Sequence, residues 1–396
     1  MSEDEKNSDT SKQEKTPPVA ESQSPIEWLL DRLDRLDRLW KDRKKPGGGV
    51  QWLLKWIRRS LILVTAAYLI LLILILLALE HHGEKNLTLA FLLYAPPLGW
   101  LLPIIPLAPL CLLFCPRVAL VYLAAVPILL FGYMDYNWTG GREPSGPSLK
   151  IMTNNIGQKG KTSLTPFIEA EKPDVIALQE AGRARQFAGA YPEFEVAAHG
   201  EFTLISRHPI LRSGYVREAM WHGQPVAAWF EIEFNGKPLI IYNVHIPSPR
   251  DDLNKLAGRG AALGLLGFMG GRIGEVRDGY QEKWDQRVEF AAALAEVMEN
   301  DERPTVAVGD FNMPDHGVAY RRMTSRLKDA FEESGKGFGF TVPGATRNPL
   351  SLFGPWMRLD YVMTGSGMKP ASCRAEPHRA SQHRAVVAVL EPVSSD

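Results

Sequence analysis

Three cysteines in 396 residues are too few for a disulfide framework, and only Cys373 lies outside an apolar run. Cys111 and Cys115 have no His or acid beside them, so the pair reads as small packing residues and not as a metal site. Net charge is lacking too, since 45 basic side chains balance 45 acidic ones. Without a basic excess there is no broad field for a phosphate backbone, so nucleic acid is an allowed but unfavoured partner. Residues 1–24 have almost no large apolar side chains, too few to offset the entropy of ordering them, and are expected to form a disordered tail. A short basic leader running directly into an apolar core is also missing. The first apolar run begins near residue 60, which favours a signal anchor over a cleaved signal peptide.

Long apolar runs, by contrast, are plentiful. Ser60 to Leu79 carries no charge and has the length of one helical bilayer crossing. Two more runs follow, and the expected spans are about 60–80, 87–114 and 117–134. The second contains Pro96, Pro97, Pro103, Pro106 and Pro109, so it either crosses with kinks or re-enters. Lys41, Arg43, Lys44, Lys45, Lys55, Arg58 and Arg59 precede the first span, which predicts a cytoplasmic N-terminus. Three crossings then put the remainder outside: a multi-pass cell-membrane protein with an extracytoplasmic C-terminal domain. Ahead of the membrane, residues 25–59 combine a Leu-Asp-Arg repeat with a basic stretch and a Gly-rich hinge at Lys45–Gly49. Asp31 with Arg35, and Asp34 with Arg38, stand four apart on an amphipathic helix suited to a membrane face or to a dimer contact.

Residues 135–148, rich in Gly, Pro and Ser, are expected to link the last span to a domain over 149–396. Short β-branched or apolar runs predict strands at 149–155, 174–179, 202–206, 226–234, 238–245, 305–309, 359–363 and 384–390. Helical periodicity shows at 163–171 and 280–299. Many strands with few helices suggest an α/β domain, two packed sheets covered by helices.

Polar residues gather where these strands end. Lys150–Asn155 closes on an amide and Pro173–Glu180 on a carboxylate, while Ile240–His245 puts Asn243 and His245 on one face. Thr305–Val308 runs into Gly309-Asp310-Phe311-Asn312; Arg358-Leu359-Asp360-Tyr361 and Ser381-Gln382-His383 flank the last two strands. Taken singly, Glu180 reads as a loop-facing acid or a helix cap sooner than as a ligand, and His245 as a structural histidine. Together and in this order the five segments resemble the signature blocks of the endonuclease/exonuclease/phosphatase superfamily, the deoxyribonuclease-I-like fold, in a membrane-anchored bacterial branch.

That resemblance implies a four-layer α/β/β/α sandwich, two mixed sheets with outer helices, behind a three-span α-helical membrane anchor. It implies a metal-dependent phosphoester hydrolase using Mg²⁺ or Mn²⁺. Glu180, helped by Asn155, would supply hard oxygen ligands. Asp310 would orient and deprotonate water, Asn312 and His245 would donate to phosphoryl oxygens, and Asp360 would hold His383 as a cationic donor. Gln382 departs from the family pattern, which has Asp there, and leaves a non-catalytic binding module of the same fold as one alternative and a nuclease as another. Tethering outside a membrane favours a lipid-linked phosphoester. The Gly-rich apolar insert Leu256–Gly271 reads as a lipid-dipping segment or a lid, with Arg250 and Arg259 near it.

Overall fold

The computed structural model describes residues 24–41, 47–157, 163–182, 189–250, 272–344, 354–379 and 381–393. The tail 1–23, Lys45 and Pro46 of the hinge, and the insert Leu256–Gly271 with Arg259 lie outside the described residues. The chain divides into two compact units, one of the residues up to Thr65 with Pro106–Tyr122, the other of Ala66–Ile105 with Leu123–Asp396.

Among the described residues five α-helices precede the first strand: α1 (Pro25–Lys41), α2 (Gly48–His82), α3 (Leu87–Leu93), α4 (Ile104–Phe114) and α5 (Pro116–Pro127). Among the described residues three helical stretches are long and apolar enough to cross a membrane: Gly48–Lys85, Pro97–Phe114 and Pro116–Tyr133. The second stretch is shorter than the sequence suggests, because Leu87–Leu93 forms a helix of its own. Asn86 caps it, accepting from the Thr88 and Leu89 amides at 3.0 and 3.2 Å. Pro96 disfavours helical backbone at Ala95 and ends it. In the first unit Asp31 pairs with Arg35 at 2.6 Å as expected, but Asp34 pairs with Arg117 at 2.9 Å and not with Arg38.

The second unit contains the sandwich. One six-stranded sheet is built from β1 (Leu149–Asn155), β2 (Val175–Gln179), β3 (Glu195–His199), β4 (Phe202–Ser206), β13 (Met368–Ala375) and β14 (Val386–Pro392), in the order β13-β14-β1-β2-β4-β3. The other comprises β5 (Ile210–Tyr215), β8 (Ala227–Phe234), β9 (Lys237–His245), β10 (Thr305–Asp310), β11 (Lys328–Asp329) and β12 (Asp360–Thr364), in the order β11-β12-β10-β9-β8-β5. A small hairpin, β6 (Met220–Trp221) with β7 (Gln224–Pro225), stands apart. Each sheet is mixed: β1 runs parallel to β2 and β9 parallel to β10, the other pairings being antiparallel.

Period-two alternation sorts the strand side chains into layers. Ile151, Val175, Ala177, Ile241, Val306 and Val308 meet in the core between the sheets. Their neighbours Met152, Ile176 and Leu178 face outward to pack with Ile168 of α6 (Thr165–Glu171). On the opposite outer face Ile240, Tyr242 and Ala307 pack against Ala291, Leu294 and Met298 of α7 (Arg272–Glu299) and Ala319 and Met323 of α8 (Val318–Thr324). A short α9 (Ala330–Ser334) closes the core near β11. Two mixed six-stranded sheets with outer helices, behind three long apolar helices, are the expected architecture. The segment 135–148 lies along the sandwich. Asn137 bridges to Gly337, the Gly140 amide donates to Gly335 at 2.7 Å, and the Arg142 amide donates to Ala371 at 2.8 Å.

Candidate active site

Strand register brings the polar residues to one end of the sandwich. Asn155 ends β1 opposite Gln179, one residue before Glu180. In the second sheet Asp310 stands opposite His245 across the parallel β9–β10 pair and opposite Asp360 across the antiparallel β10–β12 pair. Because β14 runs against β1, with Thr153 facing Val386, the residues just before β14 reach the same end, and His383 is among them. Gly309 makes the last step of β10 feasible. Its φ is +145°, and a Cβ there would lie 2.0 Å from the Val244 carbonyl oxygen. Glu180 and Asn312 both have left-handed backbone, φ +53° and +49°, a cost that functional loops carry when their surroundings hold them.

Asp310, 1% exposed, is the hub. Its Oδ2 accepts from Asn155 Nδ2 at 3.0 Å and lies 3.7 Å from His245 Nε2 and 3.6 Å from His383 Nε2. Its Oδ1 accepts the Asn312 amide at 3.0 Å. Asn155 also donates to Glu180 Oε1 at 3.2 Å, while its own oxygen accepts from the Gly157 amide at 2.9 Å. Asn155 thus turns its oxygen to the backbone and its nitrogen to two carboxylates. Asn312 spends one amide hydrogen on the Ile246 carbonyl at 2.8 Å. His383 Nδ1 meets both oxygens of Asp360, at 3.1 and 3.0 Å, so the expected Asp–His pair is formed. Gln382 has an exposed side chain, and its backbone carbonyl accepts from Gly344 at 2.7 Å.

Charge at this site is lopsided, the carboxylates of Glu180, Glu201, Asp310 and Asp360 facing the imidazoles of His245 and His383. Burial works against a His383 cation, yet Asp360, Asp310 and Glu180 raise its pKa to about 9. Burial likewise opposes a cationic His245, but Glu201, Asp310 and Glu180 raise its pKa as well. Burial pushes Asp360 upward against the pull of His383, so the pair holds its proton tightly as a unit. Ligand atoms of Asp310, Asp360 and His383 lie within 4.8 Å of one another, a buried group that can hold a metal ion. Surplus carboxylate charge and hard oxygen donors suit Mg²⁺ or Mn²⁺. With both Asp360 oxygens beside His383 Nδ1, the carboxylates of Glu180 and Asp310 are the better oxygen donors on physical grounds.

Several contributors carry no local sequence signal. Glu201 places a carboxylate oxygen 3.1 Å from His245 Nδ1, within ion-pair reach but off the line of a hydrogen bond. Thr341 Oγ1 accepts the Leu359 and Asp360 amides at 3.1 and 3.3 Å and fixes the start of β12. Buried Arg379, paired with Glu376 at 2.8 Å, donates to the His383 carbonyl at 3.2 Å and to Asn154 Oδ1 at 2.8 Å, holding the loop that bears the imidazole. Asn243 is a bridge between the sheets, accepting from Gln179 at 2.7 Å and donating to the Leu178 and Thr203 carbonyls. Arg358 is a scaffold cation, with Asp315 at 3.1 Å, Asp329 in contact, and the Phe331 and Tyr361 rings beneath it.

The model of the Endonuclease/Exonuclease/phosphatase family matches residues 154–383, more than half of the chain. A search of curated proteins returned no match. Among solved structures, an endonuclease/exonuclease/phosphatase family protein from Bacteroides thetaiotaomicron is 14% identical, with 61% of this chain and 97% of that one covered and a TM-score of 0.45. A mannosyl-6-phosphatase from the same organism is 15% identical over 62% and 100%, TM-score 0.45. The human Nocturnin catalytic domain with bound sulfate is 15% identical over 62% and 95%, TM-score 0.43. With its signature segments gathered at one end of the sandwich and its family model matched from Asn154 to His383, the chain belongs to the endonuclease/exonuclease/phosphatase family of phosphoester hydrolases.

Proposed function

We propose that this is a membrane-anchored, metal-dependent phosphoester hydrolase of the bacterial cell envelope, with its active site outside the cytoplasm and a lipid-linked phosphoester as substrate. The observation that carries the reading is the buried Asp310 carboxylate, flanked by His245 and His383 and oriented by Asn155 and the Asn312 amide. A carboxylate held in this way accepts a proton from an attacking water as the new P–O bond forms and the bond to the departing alcohol or phosphate oxygen breaks, that oxygen taking its proton from solvent. His383, kept cationic by Asp360, and His245 donate to phosphoryl oxygens that gain charge, and the second amide hydrogen of Asn312, with no partner among the described residues, serves the same purpose. Glu180 would hold Mg²⁺ or Mn²⁺, which when bound polarises a phosphoryl oxygen and leaves Asp310 to act as the base. Exposed Gln382 stands outside this set.

Three long apolar helices support the anchor, and the basic residues ahead of the first support a cytoplasmic N-terminus. Balanced charge and membrane tethering favour a lipid-borne phosphate over a polynucleotide. The test is hydrolysis by the full chain in lipid nanodiscs, with and without Mg²⁺ or Mn²⁺, of a polyprenyl pyrophosphate, a phospholipid and DNA. Metal-dependent turnover of a lipid substrate that Asp310→Ala abolishes is the expected result. Turnover of DNA alone would overturn the substrate class, and turnover surviving in Asp310→Ala would overturn the mechanism.

A further inference from the structure

Residues between the first two apolar stretches reach the catalytic loop. The Tyr94 hydroxyl donates to the Asn312 carbonyl at 2.6 Å. That same carbonyl accepts from the Arg287 guanidinium, which also donates to the Pro247 carbonyl and, at 3.3 Å, to the Tyr94 oxygen. Arg287 is 5% exposed and so joins, out of solvent, the loop after His245 to the loop after Asp310. Trp284 lies beside both, 5.7 Å from the Tyr94 ring and 5.3 Å from the guanidinium carbon, and packs with Ala90 of α3. Farther along the loop the Tyr133 ring stacks on His316 at 4.7 Å, and Glu84 accepts the Val318 amide at 2.6 Å.

We propose that Tyr94 and Arg287 are positioning residues for Asp310, so that the segment Glu84–Tyr94 belongs to the active-site framework as well as to the anchor. The link runs through one residue. Asn312 holds Asp310 Oδ1 through its amide and is itself held at its carbonyl, in a left-handed conformation that needs external support. Releasing that carbonyl lets the residue relax and swings the amide away from the carboxylate. The catalytic consequence rests on the hydrolase reading; the effect on the loop does not.

Two variants of the full chain in nanodiscs separate these claims. Tyr94→Phe removes only the hydroxyl and keeps the ring packing, while Arg287→Lys keeps the charge and loses the two-pronged reach, with Arg287→Met as its uncharged counterpart. Hydrogen exchange of the amides from Phe311 to Gly317 should quicken about tenfold in Tyr94→Phe, the size expected from one lost hydrogen bond, with the melting midpoint of the sandwich lowered by no more than about 5 °C. On the substrate turned over by the wild type, kcat should fall about tenfold at nearly constant KM, with Arg287→Lys recovering part of what Arg287→Met loses. Unchanged exchange in both Tyr94→Phe and Arg287→Met overturns the proposal, as does quickened exchange with wild-type kcat. If the wild type turns over nothing, the hydrolase reading fails, and exchange alone decides whether Tyr94 holds the loop.

Discussion

Asp360→Asn isolates what the Asp–His pair contributes, because an amide fills the same space and still hydrogen-bonds but carries no charge. His383 has a pKa of about 9, with Asp360 the first of the carboxylates raising it. Full return to its ordinary 6.5 would cut the cationic fraction at pH 8 from about nine-tenths to about 3%, roughly a thirtyfold loss. At pH 6 the fraction would fall only from nearly all to about three-quarters. In the variant Asp310 and Glu180 still hold the midpoint up while burial still pulls it down, so thirtyfold is the magnitude to test. The sign for stability follows. A histidine whose pKa is raised on folding contributes fully below about 6.5, and its contribution disappears as pH rises through about 9. The assay is an NMR titration of ¹³C-labelled histidine in metal-free full-length protein, with His383 assigned by its loss in His383→Gln. Asp360→Asn should move the midpoint down by at least one pH unit, and its stability deficit should be large near pH 7 and vanish above about pH 9. An unmoved midpoint, or a deficit equal at all pH values, would refute the argument.

Two further substitutions test the framework. Gly309→Ala should destabilise the domain by roughly 3 kcal/mol or more, since its Cβ would strike the Val244 carbonyl at 2.0 Å and its φ is unfavourable for any other residue; chemical denaturation checks this. Arg358→Met leaves Asp329 and Asp315 buried without their cation and should cost about 3–5 kcal/mol, a fall of about 10 °C in Tm measured by thermal denaturation.

Legibility of the strands follows their place in the sheets. The eight runs foreseen from sequence are the eight interior strands, β1, β2, β4, β8, β9, β10, β12 and β14. Those missed include all four edges: β3, β5, β11 and β13. Interior strands such as β2 are buried on both faces and read as unbroken apolar runs. By contrast β3 (Glu-Val-Ala-Ala-His) and β5 (Ile-Leu-Arg-Ser-Gly-Tyr) are partly exposed, and β13 carries Pro370 beside a bulge. The candidate site divides in a similar way. Asn155, Glu180, His245, Asp310, Asn312, Asp360 and His383 stand at the ends of buried strands, where polarity breaks an apolar pattern. Tyr94, Glu201, Arg287 and Thr341 act across long stretches of chain, in surroundings whose local pattern suggests only a membrane span, a turn, a surface helix or a loop. Leu87–Leu93 was absorbed into a span because composition does not distinguish apolar residues facing lipid from those facing Tyr280 and Trp284.

Contact between Glu84 and Val318, and between Tyr94 and Asn312, fixes a parity. On the proposed membrane-anchored reading, segments that touch outside the bilayer share one of its faces, so the chain between Tyr94 and Tyr136 would cross an even number of times. Two full passes by Pro97–Phe114 and Pro116–Tyr133 satisfy this, and so does a hairpin that dips and returns; a single pass does not. Deleting one of those helices would force a choice between burying the survivor in lipid and keeping Tyr94 on Asn312. On that reading, membrane insertion and alignment of the loop that bears Asp310 and Asn312 would be one folding problem in this chain.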